Sequence, residues 1–219
     1  MKIVIPGGSG QVGRVLARHF HFQGHVVTVL SRQPRPAPWR VVSWDGLTPG
    51  AWITDLAESD VCINLAGRSV NCRYTAANRR IIYESRIQGT RLLNQVIASL
   101  NPAPRLWINS STATIYRHAL DRAMNEADGE LGGSEPGAPD TWNFSIAVAR
   151  GWEEAFFSTA TTLTRKVAIR SALTLSPDEE EYSMCSRAWF SMVWADDKGT
   201  ERSSFRGFMK LTSSARSTC

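Results

Sequence analysis

Three glycines, Gly7, Gly10 and Gly13, lie between an apolar run, Lys2–Pro6, and a helix-like stretch, Gln11–Phe22. That order of types suits one kind of chemistry, the binding of a pyrophosphate. A buried strand ends, the chain turns sharply, and the first helical residues Gln11, Val12 and Gly13 present backbone N–H groups at the positive end of a helix dipole. Gly7 would allow the tight turn, Gly10 the close approach of phosphates, and Gly13 the close packing of helix on strand. The spacing is G-x-x-G-x-x-G rather than G-x-G-x-x-G. Alone, such glycines also serve an ordinary strand–helix turn. Their place behind a strand and ahead of a helix favours a dinucleotide.

The second strand-like run closes on Ser31 and Arg32. In a doubly wound sheet this strand end meets the adenosine ribose. An acid there binds the free 2′-hydroxyl of NAD, and an arginine accommodates the 2′-phosphate of NADP. The acid is absent, while Arg32 and Arg35 are present. NADP is therefore expected over NAD. Asn64-Leu65-Ala66-Gly67 ends the fourth strand-like run, and its small residues would let backbone approach a ribose.

Alternating strands and helices must position these groups. Strand-like runs are Lys2–Pro6, His25–Leu30, Val41–Trp44, Val61–Leu65, Arg105–Asn109 and Lys166–Ala172. Most are short, rich in Val and Ile, and apolar on both faces, as buried parallel strands are. Helix-like runs are Gln11–Phe22, Thr75–Leu100 and Trp142–Phe157, and Gly129–Asp140 reads as a surface loop. The expected fold is α/β, a Rossmann-type doubly wound parallel sheet.

The 219 residues suit one such domain. No run of about 18 apolar residues exists, so no membrane span is expected. The start of the chain does not read as a signal peptide. The four cysteines form no C-x-x-C pair and no zinc spacing, which points to free thiols in the cytoplasm and no metal. The net charge is +5. No basic helix face carries interleaved aromatics, so a polyphosphate ligand is a better expectation than nucleic acid.

The glycine loop, Leu30-Ser31-Arg32, Asn64–Gly67, Ile82-Tyr83-Glu84-Ser85-Arg86, Trp152-Glu153 and Arg170-Ser171 follow one another in a specific order. Together they resemble the atypical short-chain dehydrogenase/reductases of the sugar-nucleotide epimerase-like kind, over Met1 to about Asp178. The resemblance implies an NADP-binding Rossmann domain. It implies cofactor contacts at Ser31, Arg32, Leu65, Ala66, Arg86 and Thr174. Arg86 would reach the cofactor from a helix; its plainer alternative is a surface salt bridge to Glu84 or Asp60.

Short-chain dehydrogenases usually carry a Ser or Thr after the fifth strand and a Tyr-x-x-x-Lys pair on the next helix. The Lys there draws the Tyr from its ordinary value near ~10 towards working pH. Thr112, within Ser110–Tyr116, matches the first hydroxyl, but Phe144 and Val148 stand where the pair is expected. Tyr116 is the remaining candidate acid, against a structural place beneath the cofactor. His118 is a candidate helper, against the solvent-exposed place more usual for a loop histidine. Two functions remain open: an NADP-dependent oxidoreductase or epimerase of a small substrate, and a non-catalytic NADP(H) sensor. Neither the substrate nor the oligomeric state is legible.

From Glu179 the pattern of the resembling family stops. Read one base out of frame after Asp178, the codons for residues 179–219 allow a peptide containing GLGG and then SWIHEADFVR, in that family's order. The expectation is a domain over residues 1–178, an out-of-frame tail over 179–219 with little regular structure, and a C-terminal substrate lobe lost or disordered, with activity impaired.

Overall fold

The computed structural model describes residues 1–172. The tail from Glu179 and the expected contact Thr174 lie outside the described residues. Six parallel strands form one sheet in the order β3-β2-β1-β4-β5-β6. They are β1 (Lys2–Pro6), β2 (Val26–Ser31), β3 (Arg40–Ser43), β4 (Val61–Asn64), β5 (Leu106–Thr112) and β6 (Arg165–Ser171). The Rossmann-type doubly wound sheet expected from the alternation is therefore present. Strand order reverses between β1 and β4, and ligands of such sheets bind outside the carboxyl ends of the strands at that reversal.

The side-chain period of two puts apolar residues on both faces. Ile3, Ile5, Val27, Val29 and Ile63 pack with Ala17 of helix α1 (Gln11–Phe22). Val4, Leu30, Cys62 and Trp107 pack on the other face with Leu92, Leu93 and Ile97 of α3 (Ala76–Ser99) and Phe156 of α4 (Asp140–Phe157). The sequence reading missed α2 (Trp52–Ala57), whose six residues are too few to show a helical period. Two of them, Trp52 and Leu56, plug the core. Strand β5 runs three residues further than expected, because Ser110–Thr112 pair with Ile169–Ser171.

Side chains satisfy two of the helix ends. Thr75 caps α3 by accepting the Asn78 N–H at 3.2 Å. At the far end of α4, Lys166 Nζ donates to the Phe156 and Thr159 carbonyls and to Asn94 Oδ1, at 2.8, 2.6 and 2.6 Å. Its three protons are thereby all placed, at the negative end of the α4 dipole. Burial pushes that ammonium below the ordinary lysine value. Among the described residues no helix is long and apolar enough to cross a membrane.

Candidate functional site

The glycine loop sits at the carboxyl end of β1. Gly7 has φ 75°, a left-handed conformation that side chains resist, and a Cβ there would lie 2.7 Å from the backbone of Ala66. Two predicted site segments therefore meet, Gly7 and Leu65–Ala66. The Leu65 N–H also donates to the Pro6 carbonyl at 2.8 Å. A Cβ on Gly13 would lie 2.4 Å from the Cα of Gly8. The close packing expected of Gly13 is thus against the loop itself, whereas the sequence reading assigned it to the strand. Gly8, which that reading passed over, is equally confined: its Cβ would meet Ile5 O and Val29 Cγ2 at 2.9 Å.

Gly10 behaves differently. It is the N-cap of α1, and its nearest neighbour for an added Cβ is Gly7 O at 3.6 Å, an ordinary contact. Nothing in the protein requires glycine there. No side chain caps α1, and its first turn holds no acid. Gln11, Val12 and Gly13 thus open a helix whose positive end faces the crevice mouth without an internal anion.

Ser31 joins β2 to the loop. Its buried hydroxyl donates to Ser9 Oγ at 3.0 Å and accepts the Gln33 N–H at 3.2 Å. The next residue, Arg32, is exposed and has no ion-pair partner among the described residues. Asn64 turns the end of β4 by accepting the Ala66 N–H at 3.1 Å. Its Nδ2 donates to Asn109 Oδ1 at 2.7 Å and to Thr90 Oγ1 at 3.1 Å, and Trp152 Nε1 donates to the same Thr90 hydroxyl at 2.9 Å. This buried network ties β4 and β5 to α3 and α4.

Arg86 reaches over the start of the loop that follows β4. Its guanidinium lies 5.1 Å from the Trp152 ring centre and donates to the carbonyls of Arg68 and Ile82 at 3.1 and 2.9 Å. A Cβ on Gly67 would stand 3.0 Å from its Cζ. The surface salt bridge considered for it is not made: Glu84 pairs with Arg80, and Asp60 accepts the Lys2 N–H. Burial pushes the Arg86 guanidinium below the ordinary arginine value, against an opposing pull from Tyr74. A half-buried cation held only by carbonyls retains capacity for an anion.

The two candidate catalytic hydroxyls are not brought together. Thr112 Oγ1 accepts the Thr114 N–H at 3.2 Å and caps the short turn Ala113–Ile115. Tyr116 lies beyond that turn, and its OH accepts a hydrogen bond from Arg170 Nη1 at 2.7 Å. Arg170 also grips Glu153 at 2.9 and 2.7 Å, and Ser111 Oγ donates to Glu153 at 2.5 Å. Burial raises the Glu153 carboxyl, and the bonds from Arg170 and Ser111 outweigh it, so the net shift is downward. Glu153 and Tyr116 in turn push Arg170 upward against its own burial. His118 is exposed and stacks near Trp142 at 5.0 Å rather than reaching Tyr116. Phe144 packs edge-on against Tyr74 at 5.4 Å. The described residues hold no group of three or more His, Cys, Asp and Glu able to hold a metal.

Comparison with known proteins agrees with this architecture. The sequence profile described as the NAD dependent epimerase/dehydratase family matches residues 3–137, more than half of the chain. The bovine epimerase family protein SDR39U1 is 28% identical over 178 residues, which are 80% of this chain and 55% of that protein. The Bacillus subtilis epimerase family protein YfhF is 34% identical over 131 residues, 58% of this chain and 42% of that protein. Among solved structures, human SDR39U1 isoform 2 with NADPH matches with a TM-score of 0.65 at 24% identity, over 87% of this chain and 59% of that one. A nucleoside-diphosphate sugar epimerase from Corynebacterium glutamicum gives 0.65 at 25%, over 91% and 38%. The matched part thus spans 55% of the bovine relative's length. With its sheet order, its glycine loop and this profile match in agreement, the chain belongs to the NAD dependent epimerase/dehydratase family.

Proposed function

We propose that this chain binds NADP(H) at the strand reversal. Gly7, Gly10, Gln11, Val12 and Gly13 would hold the pyrophosphate, Ser31 and Arg32 the 2′-phosphate, and Leu65, Ala66 and Arg86 the nicotinamide-side ribose and phosphates. Thr174 stays in the proposal as a further contact. The observation that carries the reading is the uncapped α1 start at Gly10, beside an exposed Arg32 without an ion-pair partner. The residues fit the group: the loop has no internal anion, and Gly10 leaves space where a phosphate must come close. The NADPH in the human relative's structure supports the same ligand class.

When bound, the nicotinamide supplies or accepts hydride. The chain's own part is to orient a small carbonyl or alcohol substrate beside it, with Thr112 as the hydroxyl that polarises the reacting oxygen and Tyr116 as the second candidate. A specific observation favours a second reading, a non-catalytic NADP(H) sensor: Phe144 and Val148 supply neither a phenol nor an ammonium.

Fluorescence titration tests the cofactor. Arg32→Glu is expected to weaken NADPH by about 100-fold, as one lost charge-assisted phosphate contact and one new repulsion imply, and not to weaken NADH, whose free 2′-hydroxyl an acid there can bind. Equal binding of NADPH and NADH by the unmodified chain would sink the preference.

The frame break remains part of the proposal. Residues 179–219 are read as an out-of-frame tail standing, in sequence, where the resembling proteins carry a segment that helps build the substrate crevice, and turnover is read as impaired. Sequencing the gene across the Asp178 codon is expected to give GLGG and SWIHEADFVR in the second frame. A nucleotide sequence without that peptide removes the idea.

A further inference from the structure

Trp152 has no task in the reading above, yet its ring lies against a proposed cofactor contact, Arg86. A short series of close backbone approaches places that contact at the strand reversal. A Cβ on Gly7, just beyond β1, would stand 2.7 Å from the backbone of Ala66. Ala66 and Gly67 follow β4. A Cβ on Gly67 would stand 3.0 Å from Arg86 Cζ and 3.3 Å from its Nε. The guanidinium thus lies on the turn that touches the glycine loop.

Two hydrogen bonds and one ring face fix that guanidinium. Nη1 donates to the Arg68 and Ile82 carbonyls at 3.1 and 2.9 Å. The Trp152 ring centre is 5.1 Å from Cζ. An arginine side chain carries five N–H donors in a planar fork. Those on Nε and Nη2 make no hydrogen bond among the described residues, and no carboxylate there pairs with Arg86.

Trp152 is itself locked. It is 6% exposed and packs with Ile87 and Ala155. Its Nε1 donates to Thr90 Oγ1 at 2.9 Å, and Asn64 Nδ2 donates to the same oxygen at 3.1 Å. Asn64 Oδ1 accepts the Ala66 N–H at 3.1 Å. One buried amide therefore sets the height of Ala66 and, through Thr90, the seat of the indole. A ring fixed in this way holds a cation over its face at little further loss of freedom, since the ordering is complete on folding.

We propose that Trp152 is a positioning residue for the dinucleotide. Its indole face orients the Arg86 guanidinium and leaves Nε and Nη2 for a phosphate of the ligand. The proposal rests on the NADP(H) reading. In this role the indole acts only through Arg86, so its removal matters only while Arg86 is present.

The experiment uses the 219-residue chain and NADPH, titrated by fluorescence, with a thermal melt of every variant. Arg86→Ala is expected to weaken NADPH by about 30-fold, the scale of a lost charge-assisted contact. Trp152→Met removes the ring face and is expected to weaken NADPH by about tenfold. Trp152→Phe also loses the indole N–H but keeps an aromatic face, and is expected to stay within about threefold of the parent. The chain carrying both Arg86→Ala and Trp152→Met is expected to bind as Arg86→Ala does. Arg86→Lys keeps the charge without the planar fork, and is expected to weaken NADPH by about tenfold with an unchanged melt. It tests the same orientation should the tryptophan variants fail to fold. A parent chain that binds no NADPH sinks the cofactor reading itself. With NADPH bound by the parent, parental affinity in Arg86→Ala or Arg86→Lys overturns the Trp152 assignment alone. So does equal affinity in Trp152→Met and Trp152→Phe, or a Trp152→Met loss that is the same with and without Arg86.

Discussion

Gly13→Val is expected to abolish NADPH binding and to destabilise the domain, whereas Gly10→Ala is expected to weaken binding and spare the fold. The two glycines look equivalent in the sequence, and their surroundings separate them. A side chain at position 13 would drive its Cβ to 2.4 Å from Gly8 Cα and 2.6 Å from Gly8 C and O. All three are backbone atoms, so no rotamer relieves the overlap. Gly8 is itself confined, since a Cβ there would meet Ile5 O and Val29 Cγ2 at 2.9 Å. The loop must open or the helix must lift off β1, and either exposes the cluster of Ile3, Ile5 and Ala17. Overpacking of this kind costs about 1–3 kcal/mol, and with backbone on both sides the upper end applies. Position 10 has an ordinary 3.6 Å neighbour, so alanine fits within the protein. Only a bound phosphate would meet the added methyl. Thermal melts and NADPH titrations of the two variants therefore separate fold from ligand. A Gly10→Ala chain that binds NADPH as well as the parent would show that no phosphate approaches that residue.

Glu153→Gln is expected to be the most destabilising isosteric change in the domain. The carboxylate is 11% exposed and accepts from Arg170 and Ser111, so its loss leaves Arg170 without a counter-charge and frees Tyr116 from its tether. Breaking a buried pair costs about 3–5 kcal/mol. Arg170 is 26% exposed, and solvent screening places this pair near the low end, about 3 kcal/mol. That corresponds to a fall of roughly 6–12 °C in melting temperature for a domain of this size. The pH dependence follows from the direction of the shift. Glu153 is held below its ordinary value of 4.5 in the folded chain. Its contribution is therefore complete above that value and is lost as pH falls through the lower, folded value. The parent should lose stability on acidification in that window, and Glu153→Gln should lose less. Parallel acid curves for the two chains would show that Glu153 does not carry the effect.

What the residue string revealed and what it withheld follow from distance along the chain. The inner strands β1, β2 and β4 were legible because each is a short β-branched run buried on both faces, and α1 because it follows its glycines at once. The six residues of α2 were not, since a single turn and a half shows no period. Arg86 was singled out only by likeness. Its binding partners are backbone carbonyls of Arg68 and Ile82, and carbonyls leave no trace in residue type. The cation on Tyr116 was hidden for another reason. Arg170 lies 54 residues away and becomes a neighbour only because β5 and β6 pair in parallel with Ser111 beside it. Phe144 announced the loss of a phenol, yet nothing local announced that Tyr74 packs against it across α3 and α4.

The buried amide pair in the centre of the sheet has a further consequence. Asn64 and Asn109 stand opposite each other in the pairing of β4 with β5. Every polar arm of the pair is used: Asn64 also holds Thr90 and the Ala66 N–H, and Asn109 Nδ2 donates to the Ser110 carbonyl at 2.7 Å. A slip of one residue would set Asn64 beside Ile108 or Ser110 and strand two amides in a dry interior. Each orphaned group costs about 1–3 kcal/mol, whereas the apolar neighbours Cys62, Ile63, Trp107 and Ile108 would tolerate the slip far better. The asparagines thus favour the native strand register over its one-residue neighbours. Since the loop bearing Gly67 follows β4 and Thr112 ends β5, the same pairing sets the relative height of the crevice walls.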